Sequence, residues 1–297
     1  MSKGKLFLVI SAFIYGINPV FAKGVYQAGA NGVTLTMLRA LMVSPLLLTL
    51  NLAKGISLKL KLREFLNILA LSVVGNSMSL ICLYVSYSYI SVGLATVLHY
   101  IYPLIILLVF TFFYKSPLTK YKLFSVLLVT FGVFMFLSTN EKLNFDGVIL
   151  AVISGFLYAF YVIFLDKSGL DKMNYLKLTF YLSIISSVVI FIFAKTTDTL
   201  VLDISYDGWI LSGVISLLCT GVSLPLFQLG VKSEGATVAG VISTIEPITG
   251  VIAGAIFLNE AVTFNSIIGS VLIISGVLVV EFDKSNAFLV RKSEEKD

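Results

Sequence analysis

An all-α integral membrane fold, ten transmembrane helices arranged as two inverted five-helix repeats, is what this amino-acid sequence predicts. Three observations lead there: long apolar runs that follow one another almost end to end, a strong imbalance of basic residues between alternate loops, and a motif that recurs at a constant offset. Of the 297 residues, 58% are hydrophobic and 12% charged, whereas soluble domains average about 45–50% apolar and about 25% charged. A soluble core has no use for that surplus.

A helix needs about 18 or more apolar residues to cross roughly 30 Å of hydrocarbon. The first repeat, 5–138, supplies five such runs. Span one, 6–22, carries Tyr15, Asn18 and the helix breaker Pro19; span two, 32–53, encloses Arg39; span three, 65–87, holds Asn76 and Ser79. Span four, 92–113, contains His99, Tyr102 and Pro103, and span five, 121–138, contains Gly132. The second repeat, 145–282, supplies spans at 147–165 with Tyr158 and Tyr161, at 175–194, at 209–230 with Gln228, at 236–258 with Ser243, Glu246 and Pro247, and at 264–282 with Gly276. A short tail, 283–297, remains. The loops are short and carry nearly all the charge, which leaves no room for a soluble domain.

Orientation follows from the basic residues. With the N-terminus inside, the inner segments hold 17 Lys and Arg against 3 outside (Lys23, Lys142 and Lys195), and Arg39, within a span, completes the 21. Such a bias marks the cytoplasmic side and agrees with an even number of spans. Both termini are expected in the cytoplasm of a multi-pass cell-membrane protein. The net charge of +5 is therefore a topology signal and not a nucleic-acid surface, since the outer loop before Trp209 is acidic, with Asp198, Asp203 and Asp207.

The halves repeat each other. Ile10-Ser-Ala-Phe-Ile-Tyr15 recurs as Ile153-Ser-Gly-Phe-Leu-Tyr158, and Pro103 and Gly132 recur as Pro247 and Gly276, at an offset of 143 or 144. Five spans is an odd number, so the second copy enters the membrane from the opposite side. A repeat that begins at span one also argues against reading that span as a cleaved signal peptide.

Several residues do not belong in lipid. Arg39 would cost roughly 2.5–3.5 kcal/mol near the bilayer centre; it either clamps helix-end carbonyls as a structural cation or faces a solute as a carboxylate partner. Glu246 sits near the middle of span nine, where a carboxyl either pairs with a neighbour and braces helices or binds and releases protons. His99, the single histidine, is either a hydrogen-bonded core residue or part of a site. The offset of 144 matches His99 with Ser243 and Tyr102 with Glu246, so the two most polar mid-span segments face each other across the repeat axis, where inverted-repeat transporters hold solute. Pro103 and Pro247 free the carbonyls of His99 and Ser243, which permits kinks at membrane depth. Tyr15, Asn18, Asn76, Ser79, Tyr158, Tyr161 and Gln228 complete the candidate cavity. Gly250-Val-Ile-Ala-Gly254 is a small-xxx-small pattern that allows close helix contact.

At these residues the sequence resembles the EamA-type branch of the drug/metabolite transporter superfamily along nearly its whole length. Tyr15-Gly-Ile-Asn18, Lys23 and Arg39 are similar to that family's Trp-Gly-x-Asn segment with its following lysine and arginine. Glu246-Pro247, Phe257-Leu-Asn-Glu260-Ala-Val-Thr263, Gly269 and Gly276 are similar to its closing spans. Two positions depart: Tyr15 replaces the usual Trp, and Ser116 stands in the first repeat where Glu260 stands in the second. The resemblance implies secondary transport, often export of amino acids or other small polar metabolites, by alternating access.

The alternatives within transport are an uptake carrier or an uncoupled facilitator, and outside it a receptor or structural subunit. An enzyme is not expected, because no His-Glu-x-x-His, paired Asp or Gly-x-Ser-x-Gly pattern occurs, and no Walker-type loop indicates an ATP site. Cys82 and Cys219 stand alone in apolar runs and read as inert packing. No cofactor or metal is expected. The expected partners are a small-molecule substrate, the lipid bilayer and protons, with the chain a monomer or homodimer.

Overall fold

In this computed structural model, residues 2–86, 88–90, 92–116, 118–135, 144–258 and 262–281 are described. The predicted tail, Glu260 and the loop around Lys142 lie outside them. Every long element among the described residues is a helix. They are α1 (Lys3–Gln27), α2 (Gly32–Met42), α3 (Ser44–Ala53), α4 (Leu62–Ala70), α5 (Ser79–Ser86), α6 (Val92–His99), α7 (Tyr102–Phe112) and α8 (Lys120–Phe134). The second half adds α9 (Phe145–Lys167), α10 (Tyr175–Thr196), α11 (Tyr206–Ile215), α12 (Leu224–Glu234), α13 (Ala236–Ser243), α14 (Ile245–Leu258) and α15 (Phe264–Glu281).

Helix starts obey ordinary capping chemistry. Asn31, Thr119, Asn144 and Asn174 accept from Thr34 N (2.8 Å), Lys122 N (3.2 Å), Asp146 N (3.0 Å) and Leu176 N (2.9 Å), which satisfies amides left open at each first turn. Several helices run on from one another. Seven continuous stretches are long and apolar enough to cross a bilayer: Lys3–Gln27, Gly32–Ala53, Leu62–Ser86, Phe145–Lys167, Tyr175–Thr196, Tyr206–Glu234 and Ala236–Phe257. Shorter apolar helices, Tyr102–Phe112 and Ile267–Val279, fall within predicted spans four and ten.

The runs are not simple rods. Predicted span two is interrupted at Val43, just before Pro45. Span four breaks between His99 and Tyr102, and span nine breaks at Thr244. Both of the latter breaks precede a proline, Pro103 or Pro247, which removes an amide from the ladder. By contrast α1 continues through Pro19. Between α4 and α5 the chain winds as a wider π-helix at Leu71–Met78, and between α11 and α12 it does so at Ser216–Ser223.

Matched positions make matched contacts. Ser11 Oγ donates to Ser223 O at 3.0 Å, and Ser79 Oγ donates to Ser154 O at 2.9 Å, two pairs that exchange under the repeat offset. Gly132 of α8 lies against the Gly269 carbonyl of α15, and Gly276 lies against the Ser125 carbonyl, so these helices meet backbone to backbone.

Polarity runs inside out. Ser11, Asn51, Ser154, Ser183 and Ser223 are buried, while Phe112, Phe131, Phe145 and Phe264 stand exposed. In hydrocarbon no apolar driving force pulls Phe inward, whereas small residues allow close approach and their hydroxyls need protein partners. Buried hydroxyls and amides within an otherwise apolar core are what tie together the helices around the site.

Candidate functional site

Burial of a guanidinium inside a helical bundle demands compensation, and the neighbours of Arg39 supply it. On α2, Arg39 lies in electrostatic range of Tyr84, Cys219, Tyr15 and Glu246. The Ser216 hydroxyl donates to the Arg39 carbonyl at 2.7 Å and ties α2 to the second π-helix. Tyr15 from α1, Arg39 and Asn76 line a cavity of about 30 Å³ together with Thr36, Ser186 and Thr220, room for about one or two water molecules. Asn76 Nδ2 donates to Ser186 Oγ at 2.8 Å.

Behind this cavity stands an aromatic cluster that both broken helices build. The His99 ring lies 5.7 Å from Tyr102 and 5.2 Å from Tyr158, and Tyr102 meets Tyr158 edge-on at 4.8 Å. Tyr158 stacks on Tyr161 at 5.7 Å, and Phe227 closes the far side, 6.4 Å from Tyr161. His99 Nδ1 pairs with Ser154 Oγ at 2.9 Å, so the ring has a partner on α9. The Tyr100 phenol hydrogen-bonds the Glu246 carboxyl, and the Tyr102 phenol reaches Ser243. Glu246 in turn lies within electrostatic range of Arg39.

The remaining predicted residues take separate places. Asn18 Oδ1 receives the Cys219 thiol at 3.5 Å. Ser79 is spent on Ser154, and Ser243 Oγ also donates to the Ala239 carbonyl at 2.8 Å. Gln228 accepts from Thr179 Oγ1 at 3.2 Å and lines a cleft of about 390 Å³. His99, Tyr102 and Glu246 come together, yet they are not among the residues that line the small cavity.

Sequence reasoning passes over Tyr100, Phe227 and Ser186, and reads Cys219 as inert packing, whereas its thiol meets Asn18. Tyr100 carried a usable signal, since it falls inside the Val97–Pro103 segment between two residues that were singled out. Cys219 occupies the position that matches Gly75, and Gly75 packs against Tyr161 as Cys219 packs against Asn18.

A wider cleft of about 720 Å³ opens among the basic loops, lined by Lys61, Arg63, Lys172 and Lys177. The opposite end is sealed. Asn31 Nδ2 donates to Thr199 O at 2.6 Å, Val201 N donates to Thr34 Oγ1 at 3.0 Å, and Ser205 N donates to Ala28 O at 3.1 Å. Among the described residues no group of three His, Cys, Asp or Glu side chains could hold a metal.

Comparison with known proteins gives concordant results. The EamA-like transporter family matches residues 2–138 and 146–282. An uncharacterized transporter of Archaeoglobus fulgidus is 26% identical over 227 residues, 75% of this chain and 79% of that protein. An uncharacterized inner membrane transporter of Salmonella typhimurium is 22% identical over 291 residues, 95% of this chain and 96% of its own length. One solved crystal structure superposes with a TM-score of 0.82 over 94% of this chain and 96% of that one, at 14% identity, and so shares the fold.

Proposed function

The chain belongs to the EamA-like transporter family, and on that premise we propose that it exports a small amphipathic zwitterion, such as an amino acid, from the cytoplasm. It is a multi-pass membrane transporter and not an enzyme. In this reading the helices form ten spans in two inverted repeats, 5–138 and 145–282, with both termini cytoplasmic in the cell membrane and with the 283–297 tail inside.

The observation that supports the substrate class is Glu246 within electrostatic range of both Arg39 and the Tyr102–Tyr158 pair. A carboxylate suits the guanidinium, an ammonium suits the carboxyl, and an apolar side chain suits the faces of Tyr102, Tyr158 and Tyr161. The small cavity then corresponds to an occluded form, and alternating access enlarges it from either side. Asn76, Tyr15 and Ser243 contribute hydrogen bonds; Asn18, Ser79 and His99 hold the helices that carry the site. Proton coupling through Glu246 completes the reading.

The test is a thermal-shift screen of purified protein against amino acids and their analogues. A true substrate present at 100 times its dissociation constant stabilises the folded state by about 2.7 kcal/mol. Aromatic and large apolar amino acids should raise Tm, and the same compounds without carboxylate or ammonium should not. Arg39→Gln should abolish the shift. A screen in which no amino acid raises Tm sinks the substrate class.

A further inference from the structure

The cavity beside Arg39 holds a positive charge that its own wall does not balance. Arg39 lies in electrostatic range of Tyr84, Cys219, Tyr15 and Glu246, but ordinary phenols and thiols are neutral near physiological pH. Glu246 is the one carboxyl of the four and its pull is the weakest; it is engaged by the Tyr100 phenol and forms no part of the cavity wall. Among the described residues none accepts a hydrogen bond from the guanidinium, which lines the cavity of about 30 Å³. Further donors stand around it with nothing to donate to. Thr220, 6% exposed, and the Tyr15 phenol have no hydrogen-bond partner among the described residues. Ser186 Oγ accepts from Asn76 at 2.8 Å and keeps its own hydrogen undonated. The other wall hydroxyls are spent, Thr36 on the Gly32 carbonyl and Ser183 on the Thr179 carbonyl, each at 2.8 Å.

We infer that this cavity is a binding site for a monatomic anion of the chloride class, held by the Arg39 guanidinium together with the Thr220, Tyr15 and Ser186 hydroxyls. A buried cation ringed by donors, with no carboxylate in contact, is stabilised by an anion far more than by water. Leu80, Leu182 and Ile190 complete the wall, and an apolar surround keeps the local dielectric low, which strengthens the attraction. Volume selects the ion. Room for about one or two waters admits a single monatomic anion and excludes a many-atom one such as gluconate. The donors come from separate elements, Tyr15 from α1, Arg39 from α2, Ser186 from α10 and Thr220 from the second π-helix, so one ion ties both repeats together at the cavity. The anion site stands without the amino-acid reading above. Where that reading also holds, the anion neutralises Arg39 in the solute-free protein and occupies the place that the solute's carboxylate takes, so the two exclude each other.

The experiment follows Tm of the purified full-length protein as sodium chloride replaces sodium gluconate at constant ionic strength, with no amino acid present. Chloride and bromide should raise Tm along a saturating curve that yields a single Kd. Thr220→Val, which exchanges the hydroxyl for a methyl of the same shape, should raise that Kd about tenfold, the loss expected for one hydrogen bond to a charged group. Arg39→Gln should abolish the saturating rise. Should Arg39→Gln not fold, Thr220→Val and a crystal grown in bromide decide between them, the crystal by an anomalous peak among Arg39, Thr220 and Tyr15. A Tm that ignores the exchange, or rises without saturating and equally in Thr220→Val, is a general salt effect and overturns the site; so does a bromide crystal with no peak there. The two readings part cleanly. If chloride shifts Tm and no amino acid does, the substrate class of the preceding section falls and the anion site stands. If amino acids shift Tm and chloride does not, the anion site alone falls. If both do, chloride should diminish the shift that L-phenylalanine gives, and strictly additive shifts would place the anion away from Arg39 and overturn the inference.

Discussion

Arg39 and Glu246 are each too costly for hydrocarbon to be there without a task or a partner. Both have partners: Arg39 has Tyr15 and Tyr84 in electrostatic range, and Glu246 has the Tyr100 phenol. Partners alone would suffice for bracing, but a brace does not need to exchange protons when a cavity opens. Under the proposed coupling, Glu246→Gln keeps the shape and the Tyr100 contact while removing the titration. Reconstituted Glu246→Gln should lose transport driven by an imposed pH gradient by at least about tenfold and keep solute exchange at equal pH. Identical behaviour of variant and parent protein would refute coupling at this carboxyl. How much of this site the sequence disclosed depends on residue type. Arg39, Glu246 and Asn76 stand out because charge and amide are rare in apolar runs. Tyr100 and Cys219 do not, because a tyrosine or a lone cysteine sits comfortably in any apolar helix, and only the tertiary fold reveals that one meets Glu246 and the other Asn18.

The helices carry a second layer of information in where they touch. A side chain added at Gly16 would meet the Glu246 carbonyl at 2.6 Å, whereas one added at Gly250 finds only the Gly16 carbonyl at an ordinary 3.5 Å. Gly250, of the small-xxx-small pattern, is therefore less crowded than Gly16 of α1, the glycine of the Tyr15-Gly-Ile-Asn18 segment. Overpacking at a backbone contact costs about 1–3 kcal/mol, and a tolerated surface-like change costs within about 0.5 kcal/mol. Gly16→Ala should lower Tm of the purified protein by several degrees and impair transport, because it pushes α1 off the segment that holds Glu246. Gly250→Ala should do neither, and the reverse ranking would show that α14 and not α1 is the tight partner. Apolar periodicity disclosed the runs themselves. It did not disclose the break at Val43 or the π-helices at Leu71–Met78 and Ser216–Ser223, because a wider turn changes hydrogen-bond partners without changing which residues are apolar.

The whole molecule is asymmetric in a way that its repeated sequence is not. Matched serine pairs and matched glycine contacts preserve the repeat through the core. At the basic-loop end two clefts stand open, while at the other end Thr199, Val201 and Ser205 are stitched to Asn31, Thr34 and Ala28. Under the proposed alternating access, the carrier breaks that seal once in every cycle to open the other end. The polar part of the seal consists mostly of backbone groups bound by short polar side chains, and hydrogen bonds of this kind contribute only about 0.5–1.5 kcal/mol each; Leu200, Val201 and Ile204 pack beside them on Ala30, Val33 and Leu35. A covalent link there separates a moving seal from a static one. Thr34 Oγ1 lies 3.0 Å from Val201 N, near enough for a cysteine pair at these positions to approach the Cα spacing that a disulfide requires. Thr34→Cys with Val201→Cys in the Cys82→Ala, Cys219→Ala background should transport normally when reduced, stop on oxidation and resume on addition of reductant. A cysteine placed at Met173 should stay open to maleimide in the oxidised form, because the basic-loop clefts do not depend on the seal opening. Undiminished transport in the fully oxidised protein would mean that the solute leaves by another route, and the alternating-access reading of this end of the molecule would fail.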